Sequence, residues 1–152
     1  MAKSPTAADA QVVLQLYDLR RETEMRKARN WWAVNFWPQS PDDMVKVINT
    51  FGSQENAWFR QVAGYWEMAS ALVLRGALNE GLFYDAGGEM WFMLGKVYPY
   101  LKEFREKMQS PESFRNAEKL ATQSKEGRER LQRMVKRVEG WRKTRTEAAK
   151  AS

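Results

Sequence analysis

The chain has 152 residues, and its 25 Lys and Arg against 19 Asp and Glu give a formal charge of +6. It contains no His and no Cys, which excludes a disulfide, a thiolate nucleophile, a Ser-His-Asp triad, Cys-ligated zinc and any metal or haem held by His. Hydrophobic residues make up 43% of the chain, so length and composition predict one globular domain over residues 6–150, after a flexible N-terminus over residues 1–5.

A helix is predicted to begin at a capping box that opens with Thr6, and the spacing of its apolar residues carries it to about Phe36. Ser40 and Pro41 supply an N-cap and an N1 proline for a short second helix, which is expected to end at Gly52. The apolar face of the first helix supplies the predicted core residues Leu16, Leu19, Met25, Trp32 and Phe36.

A third helix is predicted from Ser53 to Gly76, because its apolar residues again recur every three or four positions. The segment after Gly76 is expected to form a turn or a short helix before the Gly pair at residues 87–88. A fourth helix then reaches about Met108, with a kink at Pro99.

The last predicted helix spans residues 115–150, after Ser110 and Pro111 repeat the cap-and-proline opening. No alternation of apolar and polar residues bounded by hairpin signals occurs in the sequence. The sequence therefore predicts an all-α, single-domain helical bundle of about five helices with a long basic C-terminal helix.

Localisation follows from the absence of targeting signals. The first residues hold one Lys and no apolar run, unlike a secretory signal. The longest apolar run, over residues 69–74, is far shorter than the ~20 residues of a bilayer span. We expect a cytoplasmic protein without a transmembrane segment.

The positive charge is concentrated in the last helix. Residues 1–114 carry 13 Lys and Arg and 14 Asp and Glu, for −1, whereas residues 115–152 carry 12 and 5, for +7. Since Leu131, Val135 and Val138 recur at helical spacing among the cations, this helix is amphipathic as well as basic. Its candidate anion-binding residues are Arg128, Arg130, Arg133, Lys136, Arg137, Arg142, Lys143 and Arg145.

Three interpretations fit this helix. Its cations bind the phosphates of nucleic acid or another polyanion, or the helix lies on an anionic membrane surface. In the third interpretation the apolar stripe packs on the bundle and the cations form a solvated face. An exposed stripe of Leu131, Val135 and Val138 would favour a partner or a membrane, and a buried stripe would favour the solvated face.

A second group of cations and rings lies in the first helix, where basic residues between positions 20 and 29 precede Trp31, Trp32 and Trp37. Such interleaving can hold single-stranded nucleic acid by base stacking. Because Trp32 shares the apolar face of the helix, burial in the core is the preferred interpretation.

Glu67 is a candidate buried ion pair, because it lies among apolar and aromatic residues in the most apolar helix. A carboxylate that faces inward needs a cation, and the expected partners are Arg29, Arg75 and Arg105. No catalytic, cofactor-binding or metal-binding residue is predicted, although hydrolysis by carboxylates from two helices remains an alternative.

The segments Tyr-Trp-Glu67-Met-Ala, Leu-Arg75-Gly76, Leu-Phe-Tyr-Asp85, Tyr-Pro99-Tyr-Leu, Phe104-Arg105, Phe114 and Glu118-Lys-Leu120 are similar to those of a helical bacterial domain of unknown function. This resemblance spans residues 66–120, about a third of the chain. It implies an all-helical fold and no established activity. Many members of that group carry an N-terminal membrane helix, which is not predicted here.

These observations favour a non-enzymatic interaction or assembly module that needs no cofactor. Its expected partner is a second copy of the chain or another protein. Binding of nucleic acid or another polyanion through the C-terminal helix is the first alternative, and a carboxylate-based enzyme is the second.

Overall fold

The computed structural model describes residues 3–152, and over that range the chain forms nine α-helices and one 3₁₀ turn, with no strand. The predicted all-α class is confirmed, but about five helices was an undercount. The helices are α1 (Ala7–Arg20), α2 (Thr23–Val34), α3 (Pro41–Asn49), α4 (Gln54–Leu74), α5 (Glu80–Ala86), α6 (Gly88–Val97), α7 (Leu101–Met108), α8 (Arg115–Thr122) and α9 (Lys125–Ala151), and the 3₁₀ turn is Tyr98–Tyr100.

A break that the sequence did not predict separates α1 from α2. The chain turns at Glu22, whose carboxylate accepts hydrogen bonds from the backbone N–H groups of Glu24 (3.1 Å) and Met25 (2.9 Å). Because these donors have no partner within their own helix, the side chain starts a new helix without Gly or Pro. The predicted single helix to Phe36 is therefore two helices.

The predicted helix over residues 115–150 is also divided, into α8 and α9. The hydroxyl oxygen of Ser124 accepts a hydrogen bond of 3.0 Å from the backbone N–H of Gly127 and so caps α9. Pro99 lies in the 3₁₀ turn, so α6 and α7 are separate helices where one kinked helix was predicted.

The N-terminal segment precedes α1. Residues 1 and 2 of the predicted flexible N-terminus lie outside the described residues, while the carbonyl oxygen of Lys3 accepts a hydrogen bond of 2.5 Å from the side-chain amide of Asn79. The capping box predicted at Thr6 is confirmed, with Asp9 as its second member. None of the helices between residues 3 and 152 is long and apolar enough to cross a membrane.

The centre of the molecule is α4, which packs against α2, α3, α5 and α8, while α6 packs against α8 and α9. Large rings fill the core, and Trp66, Trp91 and Phe83 are almost completely buried. Of the residues predicted for the core from the first helix, Leu19 is 53% exposed, so its assignment was wrong, and the other four are buried. The chain thus encloses one aromatic core, across which α9 lies.

Candidate functional site

The helix with the predicted anion-binding residues, α9, packs along α6 and α8. Leu131 and Val138 of its apolar stripe are buried, and Val135 is half-buried. The two helices approach closely at Gly95 of α6, since a Cβ there would lie 2.9 Å from Cγ of Met134. The stripe therefore faces the body of the protein, which favours the solvated-face interpretation over a free apolar face.

Two of the candidate anion-binding residues, the half-buried Arg130 and the buried Arg142, bind the ends of other helices. Arg130 donates from Nη1 to the carbonyl oxygen of Tyr84 in α5 (2.7 Å), and its Cζ lies 4.1 Å from the Trp91 ring centroid. Arg142 is buried and donates from Nη2 to the carbonyl oxygen of Lys96 near the end of α6 (3.2 Å). Both guanidinium groups therefore stabilise the fold by donating to carbonyl groups of other helices.

Two further arginines of the set make the same kind of contact. Arg128 donates to the carbonyl oxygen of Thr122 at the end of α8, and Arg145 donates to that of Val34 at the end of α2, each at 2.7 Å. The last carbonyl groups of a helix lack intrahelical partners, and the helix dipole makes that end negative. A guanidinium group there supplies both a donor and a positive charge, so α9 caps four other helices.

The remaining four candidates point to solvent. Arg133, Lys136, Arg137 and Lys143 are exposed, and within residues 3–152 none of them lies at salt-bridge distance from a carboxylate. Arg137 places its Cζ 5.6 Å from the ring centroid of Trp141, which is itself 43% exposed. The positive charge available to a partner is therefore carried mainly by these four side chains.

A groove of about 650 Å³ runs along one flank of α9. Its apolar lining comes from Leu131 and Val135 of α9 and from the exposed Tyr98 of the 3₁₀ turn. The charged residues that line it are the cations Arg128, Lys136 and Lys143 and the carboxylate Glu139. An apolar floor beside three cations distinguishes this groove from an ordinary solvated helix face.

Lys96 is a buried cation that sequence analysis missed. Its ammonium group donates to the carbonyl oxygens of Trp32, Ala33 (3.4 Å) and Phe36 (2.7 Å), at and just beyond the end of α2. A single cation within the otherwise uncharged, largely apolar segment over residues 90–101 was the signal that could have identified it, because a buried ammonium needs acceptors.

Aromatic rings and other cations complete the surroundings of Lys96. Its Nζ lies 3.7 Å from the centroid of the Trp37 ring and 4.9 Å from that of Phe92, within the range of cation–π attraction. Burial lowers the pKa of Lys96 to about 7, and the positive charges of Arg145 and Arg142 act in the same direction. Because the side chain is fully buried and its donors are directed at carbonyl groups, we assign it a structural role.

The ion pair expected at Glu67 is not formed. Its half-buried carboxylate accepts hydrogen bonds from the backbone N–H groups of Asn116 (3.1 Å) and Ala117 (2.8 Å), and no cation in residues 3–152 lies at salt-bridge distance. Phe114, the residue before α8, adopts a left-handed conformation (φ 58°) and has no side-chain acceptor. Glu67 of α4 therefore caps α8 from another helix, which periodicity along the sequence does not reveal.

Two of the three cations expected beside Glu67 bind other carboxylates. Arg29 pairs with Glu89 at 2.7 Å, and Arg105 pairs with Glu118 at 2.6 Å. Across residues 3–152, no group of three or more acidic side chains is arranged to hold a metal ion.

The rings considered for base stacking lie mostly in the core. Trp31 and Trp32 are buried, and Trp31 stacks on Phe36 at a centroid distance of 4.9 Å. Trp37 is half-buried, with cations of Lys96 and Arg145 close to its ring. Burial in the core, the preferred interpretation, is confirmed for Trp31 and Trp32.

Comparison with known proteins gives one match. The family described as domain of unknown function (DUF4760) matches residues 5–124. No curated protein and no solved structure matches the chain. The matched segment ends immediately before α9, so most of the groove lining lies outside it.

Proposed function

We propose that the chain, which belongs to the DUF4760 family of domains of unknown function, is a non-enzymatic interaction module. It binds a partner protein through the groove on α9. The groove itself carries this proposal. Its open apolar surface comes from the exposed Tyr98 and the half-buried Val135, while Leu131, which also lines it, is buried. Open apolar surface of this shape is typical of protein docking sites.

The roles of the more enclosed carboxylates support a non-enzymatic function. Glu67 caps a helix, Glu89 pairs with Arg29, and Glu118 pairs with Arg105. A carboxylate used as an acid or base needs to reach a substrate proton, and these three groups are already engaged within the protein.

Site-specific photo-crosslinking tests the interaction role. A photoreactive residue replaces Gln132, which lines the groove, in cells that express the chain natively. The matched control carries the same residue at Gln61, which is exposed on α4. Protease-sensitive adducts at position 132 that exceed those at 61 support the proposal. Equal yields at both positions, or adducts that only nuclease removes, contradict it.

Polyanion binding is a second candidate function, favoured by exposed cations on α9 that lie at salt-bridge distance from no carboxylate in the described residues 3–152. Affinity for a random-sequence duplex of DNA or RNA is measured at two salt concentrations, because phosphate contacts make binding salt-dependent. Salt-sensitive binding that is lost when Arg133, Lys136 and Arg137 are all changed to Glu supports this function. Absence of binding at low salt excludes it.

A further inference from the structure

We propose that the groove on α9 accepts an acidic amphipathic α-helix of a partner protein, an inference that rests on the interaction role proposed above. Three properties of the groove support this occupant: its charge, the spacing of its cations and its apolar floor.

The charge of the groove is positive. It is lined by the three cations Arg128, Lys136 and Lys143 and by one carboxylate, Glu139. Glu139 is already bound by the guanidinium of Arg142, with an Nη1–Oε2 distance of 2.7 Å. Within residues 3–152 none of these three cations lies at salt-bridge distance from a carboxylate, and Arg128 donates to the carbonyl oxygen of Thr122. An acidic partner therefore supplies the complementary charge.

The cations are spread along the groove. Arg128, Lys136 and Lys143 lie eight and seven residues apart on α9, which corresponds to roughly 12 and 10 Å along the helix axis, or about 22 Å in all. A single carboxylate or phosphate head group reaches only one of these positions. A helix with acidic residues at intervals of seven presents them at the same spacing, so its length and charge pattern match the groove.

The apolar floor selects against a purely ionic ligand. Of its three apolar lining residues, Leu131 is buried, whereas the half-buried Val135 and the exposed Tyr98 present apolar surface to the side chains of an inserted helix. A nucleic acid backbone would leave this surface uncovered. A second copy that docked through its own α9 would bring together two helices that each hold ten Lys and Arg against four Glu, so like charges oppose that arrangement.

The test uses a synthetic peptide as the probe. Its three heptads carry Leu at the core positions and Glu at the flanking positions, and binding to the full chain is followed by fluorescence anisotropy. One control peptide has Lys in place of Glu, and another has Ser in place of Leu. We expect each control to bind at least about tenfold more weakly, because one loses the charge match and the other the apolar anchors. Binding of either control as tightly as the acidic peptide overturns the proposal.

Variants of the chain locate the binding. The double change Lys136→Glu and Lys143→Glu is expected to weaken the acidic peptide about tenfold or more and to strengthen the Lys peptide. The double change Arg133→Glu and Arg137→Glu, on α9 but outside the groove lining, reverses the same number of charges and is the matched control. It is expected to change affinity less than about threefold, mainly through long-range charge. Circular dichroism verifies that each variant is folded. An equal loss for the control variant places binding outside the groove and overturns the proposal.

Two further measurements test an anionic membrane and a second copy of the chain as occupants of the groove. Vesicles of phosphatidylglycerol that bind the chain while the acidic peptide does not would assign the groove to an anionic membrane instead. Sedimentation equilibrium that shows self-association abolished by Val135→Glu would assign it to a second copy. Either result overturns the acidic helix as the occupant.

The crosslinking result separates this inference from the proposed function. Protein adducts at position 132 together with no binding of the acidic peptide would retain the interaction role and reject the acidic helix. Loss of both signals would reject both.

Discussion

Arg142 of α9 donates a hydrogen bond of 3.2 Å from Nη2 to the backbone carbonyl oxygen of Lys96, the penultimate residue of α6. The side chain of Lys96 in turn donates to carbonyl groups at the end of α2. Two buried cations therefore donate to the C-terminal carbonyl groups of two helices, Arg142 to those of α6 and Lys96 to those of α2. Each is compensated by helix-end carbonyl groups and nearby rings, and Arg142 also by Glu139, so these charges stabilise the junction of three helices.

The first prediction concerns the ionisation of Lys96. Because burial lowers the pKa of Lys96 from the ordinary lysine value of 10.5 to about 7, its ¹³Cε resonance is expected to titrate near pH 7. Heteronuclear NMR between pH 5 and 11 measures this titration. A midpoint of Lys96 at the ordinary lysine value would contradict the prediction.

The same shift gives a pH dependence of stability. The unfolded chain binds a proton at Lys96 up to about pH 10.5, whereas the folded chain releases it near pH 7, so the free energy of unfolding from this group rises between these values. Lys96→Met should remove that rise, although it also leaves the carbonyl groups of α2 without a donor. Urea unfolding at pH 6, 8 and 10 compares the slopes. Equal slopes for both proteins would exclude Lys96 as the source.

The second prediction uses two glycines of α9. A Cβ at Gly127 would lie 2.6 Å from the carbonyl oxygen of Ala121, so Gly127→Ala is expected to lower the free energy of unfolding by about 1–3 kcal/mol. Gly140 has no atom within 4 Å of the corresponding position, and Gly140→Ala is expected to raise it by about 0.5–1 kcal/mol. Chemical denaturation measures both. Destabilisation of similar size in the two variants would mean that the close approach at Gly127 has no energetic effect.

The third prediction concerns the cap that Glu67 provides for α8. Glu67→Ala removes the acceptor of two backbone N–H groups and is expected to cost about 1–2 kcal/mol of stability. Gln61→Ala, exposed on the same helix, is the control and should stay within about 0.5 kcal/mol. Thermal unfolding followed by circular dichroism compares the two. Equal stability of both variants would show that α8 does not depend on Glu67.

The fourth prediction divides the basic residues of α9 into two classes. Arg130 binds the end of α5 and covers the Trp91 ring, so Arg130→Ala is expected to cost about 1–3 kcal/mol. Arg133 is exposed, so Arg133→Ala should change stability by less than about 0.5 kcal/mol. Urea unfolding at neutral pH measures the free energy of unfolding of both variants. If Arg133→Ala were the more damaging change, the division would be incorrect.

Local signals in the sequence predicted the elements that depend on them. The N-caps at Thr6, Ser40 and Ser53 lie at the starts of α1, α3 and α4, because a hydroxyl acceptor and the first turn that it caps are neighbours in the chain. The breaks at Glu22 and Ser124 were missed because neither is marked by Gly or Pro. A cap formed inside a long run of helical spacing does not alter that spacing.

The candidate site was only partly predictable, for a different reason. The basic character of α9 is evident from composition, yet Arg142 and Lys143 are adjacent and have opposite roles, one buried against α6 and the other lining the groove. The carbonyl acceptors of Arg130 and Arg142 lie 46 residues away in the chain, and that of Arg145 lies 111 residues away. Charge patterning alone does not distinguish a cation that stabilises the fold from one that meets a partner.

The arginines of α9 cap helices that are synthesised before α9, and this order affects folding. This helix follows α2, α5, α6 and α8 in the chain, so the ribosome releases all four before their carbonyl ends receive donors from Arg128, Arg130, Arg142 and Arg145. The part of the chain that precedes α9 therefore cannot complete its packing until α9 has left the ribosome and covered the rings beneath it. The segment that matches the DUF4760 family, residues 5–124, therefore ends before the helix that supplies these four arginines.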